Sequence, residues 1–135
     1  MRHLIDWSRI DLFHSPFNSL PKGVPVPTVY TLHDLMWIIN PDWCMPPGLG
    51  KFFSAWYYRI VMPRSVDEAD KITTVSHHSR REIESRFPGK RGDVHVTYNA
   101  VDPFFHPIPP ETAWPILSDI VAPRSKFVLV VGQVV

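Results

Sequence analysis

The feature that most restricts the fold is an alternation. Four short runs rich in β-branched residues recur at 11–14, 27–32, 71–76 and 93–98, with the length and composition of strands. Between the second and third lies a helical stretch over about 49–68, where Pro63 is expected to kink or break the helix. Between the third and fourth, residues 79–87 read as another helix: Ser79 and Glu82 have capping-box spacing, and Pro88-Gly89 stops it. Residues 91–93 read as a turn opening the fourth strand. Strand, helix, strand, helix, strand predicts a parallel sheet with right-handed crossovers, an α/β fold.

The helix over 49–68 is apolar almost all round, with Phe52, Phe53, Trp56, Tyr57, Tyr58, Ile60, Val61 and Met62. Two arrangements suit it. It packs between the sheet and a second element, or it offers one face to a membrane surface or a partner.

Hydrophobic residues make up 44% of the 135, enough for a core, and five Trp, eight Phe and four Tyr argue against wholesale disorder. The formal charge of +1 removes the electrostatic case for a nucleic-acid or polybasic membrane binder. One cysteine, Cys44, excludes an internal disulfide and a Cys-rich zinc site, and its aromatic, weakly acidic setting does not favour a reactive thiol. No apolar run nears the roughly 18 residues of a membrane span, and the N-terminus has no signal-peptide core. A cytoplasmic location is expected, with room for peripheral association at the inner face of the cell membrane. Proline is in excess, 15 residues, and six of them fall at 103–123, which reads as an irregular linker. After it, the apolar run 127–132 reads as one further strand.

In open parallel sheets ligands bind beyond the carboxyl ends of the strands. Here those ends carry His14-Ser15, His33-Asp34, Ser76-His77-His78 and Asn99. His33 could donate to a sugar hydroxyl or phosphate or act as a base; alternatively Asp34 caps a turn and His33 lies in solvent. Ser76, Ser79, Arg80 and Arg81 open a helix straight after a strand, either as an anion site or as ordinary capping with a solvated basic face. The adjacent His77 and His78 would diverge by about 100° on a helix, a poor chelate, and no metal site is expected. The chain carries no glycine-rich phosphate loop and no G-x-S-x-G elbow.

The order of motifs resembles glycosyltransferase family 4, a group with a two-domain GT-B fold. The stretches that carry the resemblance are 11–16 (DLFHSP), 26–34 (VPTVYTLHD), Asn40-Pro41, 69–76 (ADKITTVS) with Ser79-Arg80, 95–103 (HVTYNAVDP) and 127–132 (FVLVVG). The family's usual Asn-Gly-Val-Asp is Asn99-Ala100-Val101-Asp102 here, a departure that bears on the turn at Ala100. The resemblance implies an incomplete Rossmann-like sheet. Residues 1–102 would be a partial N-terminal, acceptor-side domain, 103–126 the interdomain linker, and 127–135 the first strand of a truncated donor-binding domain. It implies retaining sugar transfer from a nucleotide-sugar co-substrate, with no other cofactor and no metal held by an Asp-x-Asp motif. The acceptor would be a glycan or a lipid-linked sugar in polysaccharide biosynthesis, and mannose is a candidate sugar because several relatives use it. His33 would be the catalytic residue beside the transferred sugar, with His14, Asp34, Ser76, Arg80 and Asn99 binding substrate. The family's first strand and its donor-binding residues would lie outside the chain, so an inactive fragment is expected.

Two other classes of function remain open on the residues alone. One is a non-catalytic glycan-binding α/β module. The other is a small α/β hydrolase using His33 and Asp34.

Overall fold

The computed structural model describes residues 5–17, 19–44, 48–121, 126 and 128–131. The chain divides into two compact units, Met1–Asn99 and Ala100–Val135, against an expected boundary at 102.

The first unit is built on a four-stranded parallel sheet, β1 (Phe13–Ser15), β2 (Thr28–Thr31), β3 (Lys71–Thr74) and β4 (Val94–Val96), in the order β1-β2-β3-β4. The register pairs Phe13 with Thr28, Tyr30 with Ile72, and Ile72 with Val94. Between β2 and β3 lie the one-turn helices α1 (Met36–Ile39) and α2 (Pro41–Cys44), and the long helix α3 (Leu49–Glu68); α4 (His77–Arg86) precedes β4. The four strands expected between residues 11 and 98 are all present, each shorter than its apolar run.

Alternation along the strands decides the core. Tyr30, Ile72 and Val94 are buried with Leu32, with Leu35 and Ile38 around α1, with Met62 and Val66 of α3, and with Ile83 of α4. All belong to one cluster, so α3 and α4 cover the same face of the sheet. The opposite face carries His14, Val29, Thr31, Thr73 and His95, all half-buried or exposed.

The amino ends of the strands are tied together. Asp70 Oδ2 accepts from the Thr28 backbone N–H at 2.8 Å and from the Thr28 hydroxyl at 2.9 Å, and the Asp70 N–H donates back to Thr28 Oγ1 at 3.1 Å. Lys71 Nζ meets Asp93 Oδ1 at 2.6 Å, and Lys90 Nζ donates to the Ala69 carbonyl at 2.7 Å. Gly92, with φ of 90°, makes the expected turn before β4, in a backbone region that disfavours other residues.

α3 runs unbroken through Pro63, so the expected break does not occur. Its C-terminal half enters the core through Met62, Val66 and Ala69. The buried Ser65 hydroxyl accepts from the Leu20 N–H at 2.8 Å and donates to the Val61 carbonyl at 2.7 Å, and Arg64 Nη2 donates to the Leu20 carbonyl at 2.6 Å. These bonds hold the helix at that point and clamp the β1–β2 connection onto it. The N-terminal half presents Phe52, Phe53, Trp56, Tyr57 and Ile60 as exposed side chains. Sandwiching between two elements therefore does not describe this half among the described residues.

α4 starts two residues earlier than the expected 79. Ser76, extended at φ −153° and ψ 157°, is the N-cap, and its Oγ accepts from the Ser79 N–H at 3.0 Å. Ser79 is thus a buried residue of the first turn, and Glu82 sits 3.7 Å from His78 instead of reaching back to a cap. The chain leaves β3 at Thr74, so Ser76 is the first serine available in the non-helical geometry a cap needs.

In the second unit, Asp102 Oδ1 accepts from the Phe104 N–H at 2.8 Å and its carbonyl accepts from the Phe105 N–H at 2.9 Å, a local turn. The helix α5 (Pro110–Leu117) forms within what reads as an irregular linker. Pro110 occupies its first turn, where the missing N–H costs no intrahelical bond. No described residue of this unit is buried. Of the run 127–132, Val128 to Val131 carry no regular structure and are exposed; Phe127 and Gly132 lie outside the described residues. A strand needs a partner to satisfy its backbone, and none pairs with these four residues among the described ones.

Candidate functional site

A cavity of about 260 Å³ opens at the carboxyl end of the sheet, on the face that α3 and α4 leave free. It is lined by His14, Thr31, His33, Thr73, Tyr98 and Asn99, with Val29, Thr74, Val75 and Thr97 between them. Every strand or its exit contributes, because side chains on one face of parallel strands in register converge there.

The polar groups form a row. His14 Nε2 lies 2.8 Å from Thr31 Oγ1, and Thr31 Oγ1 lies 2.9 Å from Thr73 Oγ1, so three successive strands are bridged by side chains. His33 Nε2 lies 3.3 Å from the Pro16 carbonyl. A carbonyl only accepts, so this bond places a proton on Nε2, and the neutral ring then keeps a lone pair at Nδ1. Tyr98 stands at the rim, its ring edge-on to His77 with centroids 6.1 Å apart. Among the described residues the lining contains no carboxylate, lysine or arginine.

Three of the six expected site residues are brought together here: His14, His33 and Asn99. The other three are engaged elsewhere. Asp34 Oδ1 accepts from the Met36 N–H at 2.8 Å, tying down the start of α1. Ser76 caps α4, and Arg80 Nε meets Glu84 Oε1 at 2.8 Å along the same helix. At the start of α4 these two side chains therefore make an N-cap and an i,i+4 pair. His33 bonds to Pro16 rather than to Asp34, so the two do not form the hydrogen-bonded pair a hydrolytic dyad requires. Sequence reasoning missed Thr31, Thr73 and Tyr98. A signal was available: in the runs 27–32 and 71–76 the threonines at 31 and 73 alternate with core residues, which puts them on the opposite face with His14.

Cys44 donates weakly to the Asn40 carbonyl at 3.6 Å, and burial, with the Asp34 carboxylate as a second cause, raises its thiol pKa. Less thiolate at neutral pH means a poorer nucleophile. A larger groove of about 400 Å³ runs beside α3, lined by Pro41, Gly48, Phe52, Ala55, Trp56 and Arg59. It holds one charged group among apolar walls, whereas the sheet-end cavity gathers several convergent polar groups, the property of a small-molecule site. Among the described residues no cluster of three or more His, Cys, Asp or Glu could hold a metal ion.

No curated protein and no solved structure matches the chain. A family model does: the model for Glycosyltransferase Family 4 matches residues 1–104. With a four-stranded parallel sheet, helices on one face and a polar cavity at the strand ends, the matched part has the form of a partial Rossmann-like GT-B domain. The chain belongs to glycosyltransferase family 4.

Proposed function

We propose that this segment supplies the acceptor side of the cleft in a retaining glycosyltransferase that uses a nucleotide-sugar donor. The acceptor would be a glycan or lipid-linked sugar, and mannose is the candidate sugar. The observation that carries the reading is the lining of the sheet-end cavity, which among the described residues sets imidazole, hydroxyl, carboxamide and phenol groups side by side with no carboxylate, lysine or arginine. Sugar hydroxyls both donate and accept, and such groups answer them without requiring a charge. Tyr98 offers a flat apolar surface for the C–H face of a sugar ring.

The geometry supports the following roles. His14, Thr31 and Thr73 form a preorganised row that fixes the orientation of a bound ring. His33, held through Nε2, keeps Nδ1 to accept from a hydroxyl at the reacting centre. Asn99, at the exit of the last strand, would hold a further hydroxyl.

Two measurements test this. By saturation-transfer NMR, the chain should bind an oligosaccharide acceptor, with weaker binding in Thr73→Val, and should not bind a nucleotide sugar at micromolar levels. Robust nucleotide-sugar binding without acceptor binding would overturn the assignment of sides. In an enzyme that joins this segment to a donor-binding domain, His33→Ala should lower kcat by about 10²-fold or more with the fold intact. Glycan binding with a turnover indifferent to His33 would leave a binding module in place of a catalytic one.

A further inference from the structure

We propose that protonation of His14 fixes the direction of the hydrogen-bonded row in the sheet-end cavity, making Thr73 a donor and giving the cavity a preference for an acidic sugar. The device rests on the sugar-binding reading of the cavity.

The row has three members. His14 Nε2 lies 2.8 Å from Thr31 Oγ1, which lies 2.9 Å from Thr73 Oγ1. Each hydroxyl has one proton to give and lone pairs that accept. The Thr31 hydroxyl forms no further hydrogen bond among the described residues, so its proton goes either to His14 or to Thr73. A neutral imidazole allows both directions. With a lone pair at Nε2, Thr31 donates to His14, Thr73 donates to Thr31, and Thr73 meets the cavity with lone pairs. With a proton at Nε2 the order reverses, and the Thr73 proton is left for a ligand. An imidazolium permits only the second order. Its Nε2–H donates to Thr31, and its charge turns both hydroxyl dipoles outward, each bond polarising the next.

The surroundings leave little else to answer a negative ligand. β2 pairs with β1 and brings Thr31 and, at its exit, His33. Lys71 and Asp93, at the other end of the sheet, pair with each other at 2.6 Å. His95 stands exposed on β4, in register with Thr73. No carboxylate, lysine or arginine lines the cavity among the described residues. Within that lining, positive charge for a sugar carboxylate can come only from His14 or His33. His33 Nε2 is engaged by the Pro16 carbonyl, whereas His14 acts on the cavity through two hydroxyls. Histidine changes charge between about pH 5 and 8, so the preference should follow acidity in that range.

The test compares mannobiose with a uronic acid disaccharide, digalacturonate, whose carboxylates stay ionised across this range. Binding to the full chain is followed by NMR. Between about pH 8 and about pH 5, the affinity for digalacturonate relative to mannobiose should rise at least about fivefold. Thr31→Val removes the middle hydroxyl, keeps the shape of the side chain, and leaves both histidines in place. It should cut the gain to about twofold, the share that acts through space. Thr31→Ser, which restores the hydroxyl, should recover the gain, and His14→Gln should abolish it. A gain undiminished in Thr31→Val would place the effect at His33 or at bulk charge and overturn the proposal, as would no gain in the wild type. A second readout needs no sugar. In the free chain, the Thr73 Cβ shift should follow the titration of the His14 imidazole nitrogens in the wild type and not in Thr31→Val. A Thr73 shift that ignores His14 overturns the proposal. A shift that follows it, with neither disaccharide bound, upholds the row as a switch and removes the sugar assignment of the cavity.

Discussion

At the residue scale, Asp70 shows how a single exposed side chain can hold two strands in place. Its carboxylate receives the Thr28 N–H and hydroxyl, and these bonds, with Lys90 nearby, hold its pKa below the ordinary carboxylate value. Aspartate in an unfolded chain titrates near 3.9. A depressed folded pKa means the stabilisation is complete above that value and is lost as pH falls through the folded pKa. Asp70→Ala should cost about 1 kcal/mol at neutral pH, less than a buried charged hydrogen bond because the group is solvated. The difference between variant and wild type should shrink toward zero in strong acid. Thermal melts of both proteins at neutral and acidic pH check this, and a difference independent of pH would show that the carboxylate charge is irrelevant. Asp93, lowered by its bond to Lys71, follows the same sign at the next strand pair.

At the scale of elements, a buried serine helps to anchor α3. Ser65 is fully buried, and its hydroxyl satisfies the Leu20 N–H, which lies in the long connection between β1 and β2. Ser65→Ala leaves a buried donor unpaired, which costs about 1–3 kcal/mol. The substitution should also speed amide exchange at Leu20 while leaving Ile72 and Val94 protected. Uniform acceleration across the sheet would instead indicate global loss of stability. The start of α4 carries a lesson about local signals. Ser76 and Ser79 both precede a plausible helix, and the end of β3 at Thr74 leaves Ser76 in the extended geometry of a cap. The extent of β3 reflects its pairing with β2 and β4, and no local spacing rule contains it. Similarly, Pro63 lies in a helix that its neighbours hold on both sides, because Met62, Ser65 and Val66 are packed into the core.

At the scale of the molecule, the two units differ in kind. The first has a contiguous core from Leu20 to Val94. The second has no buried residue among those described, and its helix α5 exposes Ile116. A segment with few buried contacts opens at low free-energy cost. Limited proteolysis should therefore cut first beyond Asn99 and leave a resistant product spanning the sheet. Mass spectrometry of the products checks this, and primary cleavage inside residues 13–96 would contradict it.

The α/β class, the four strands, the long helix and the polar strand ends were legible because each depends on residue type and period over a few positions. β-branched runs make strands wherever a partner exists, and a twenty-residue helix survives its proline. His14, His33 and Asn99 were legible as strand-end residues for the same reason, since a strand's end is a local feature. Which candidates meet was decided only in three dimensions. Thr31 and Thr73 are 42 positions apart and hydrogen-bond across adjacent strands, while Asp34, next to His33, turns away to start α1. Sequence alone determined which residues could form the elements and carry the chemistry. The tertiary structure decided which of them face one cavity and which face of α3 remains uncovered, because strand register and helix packing are set by contacts between residues far apart in the chain.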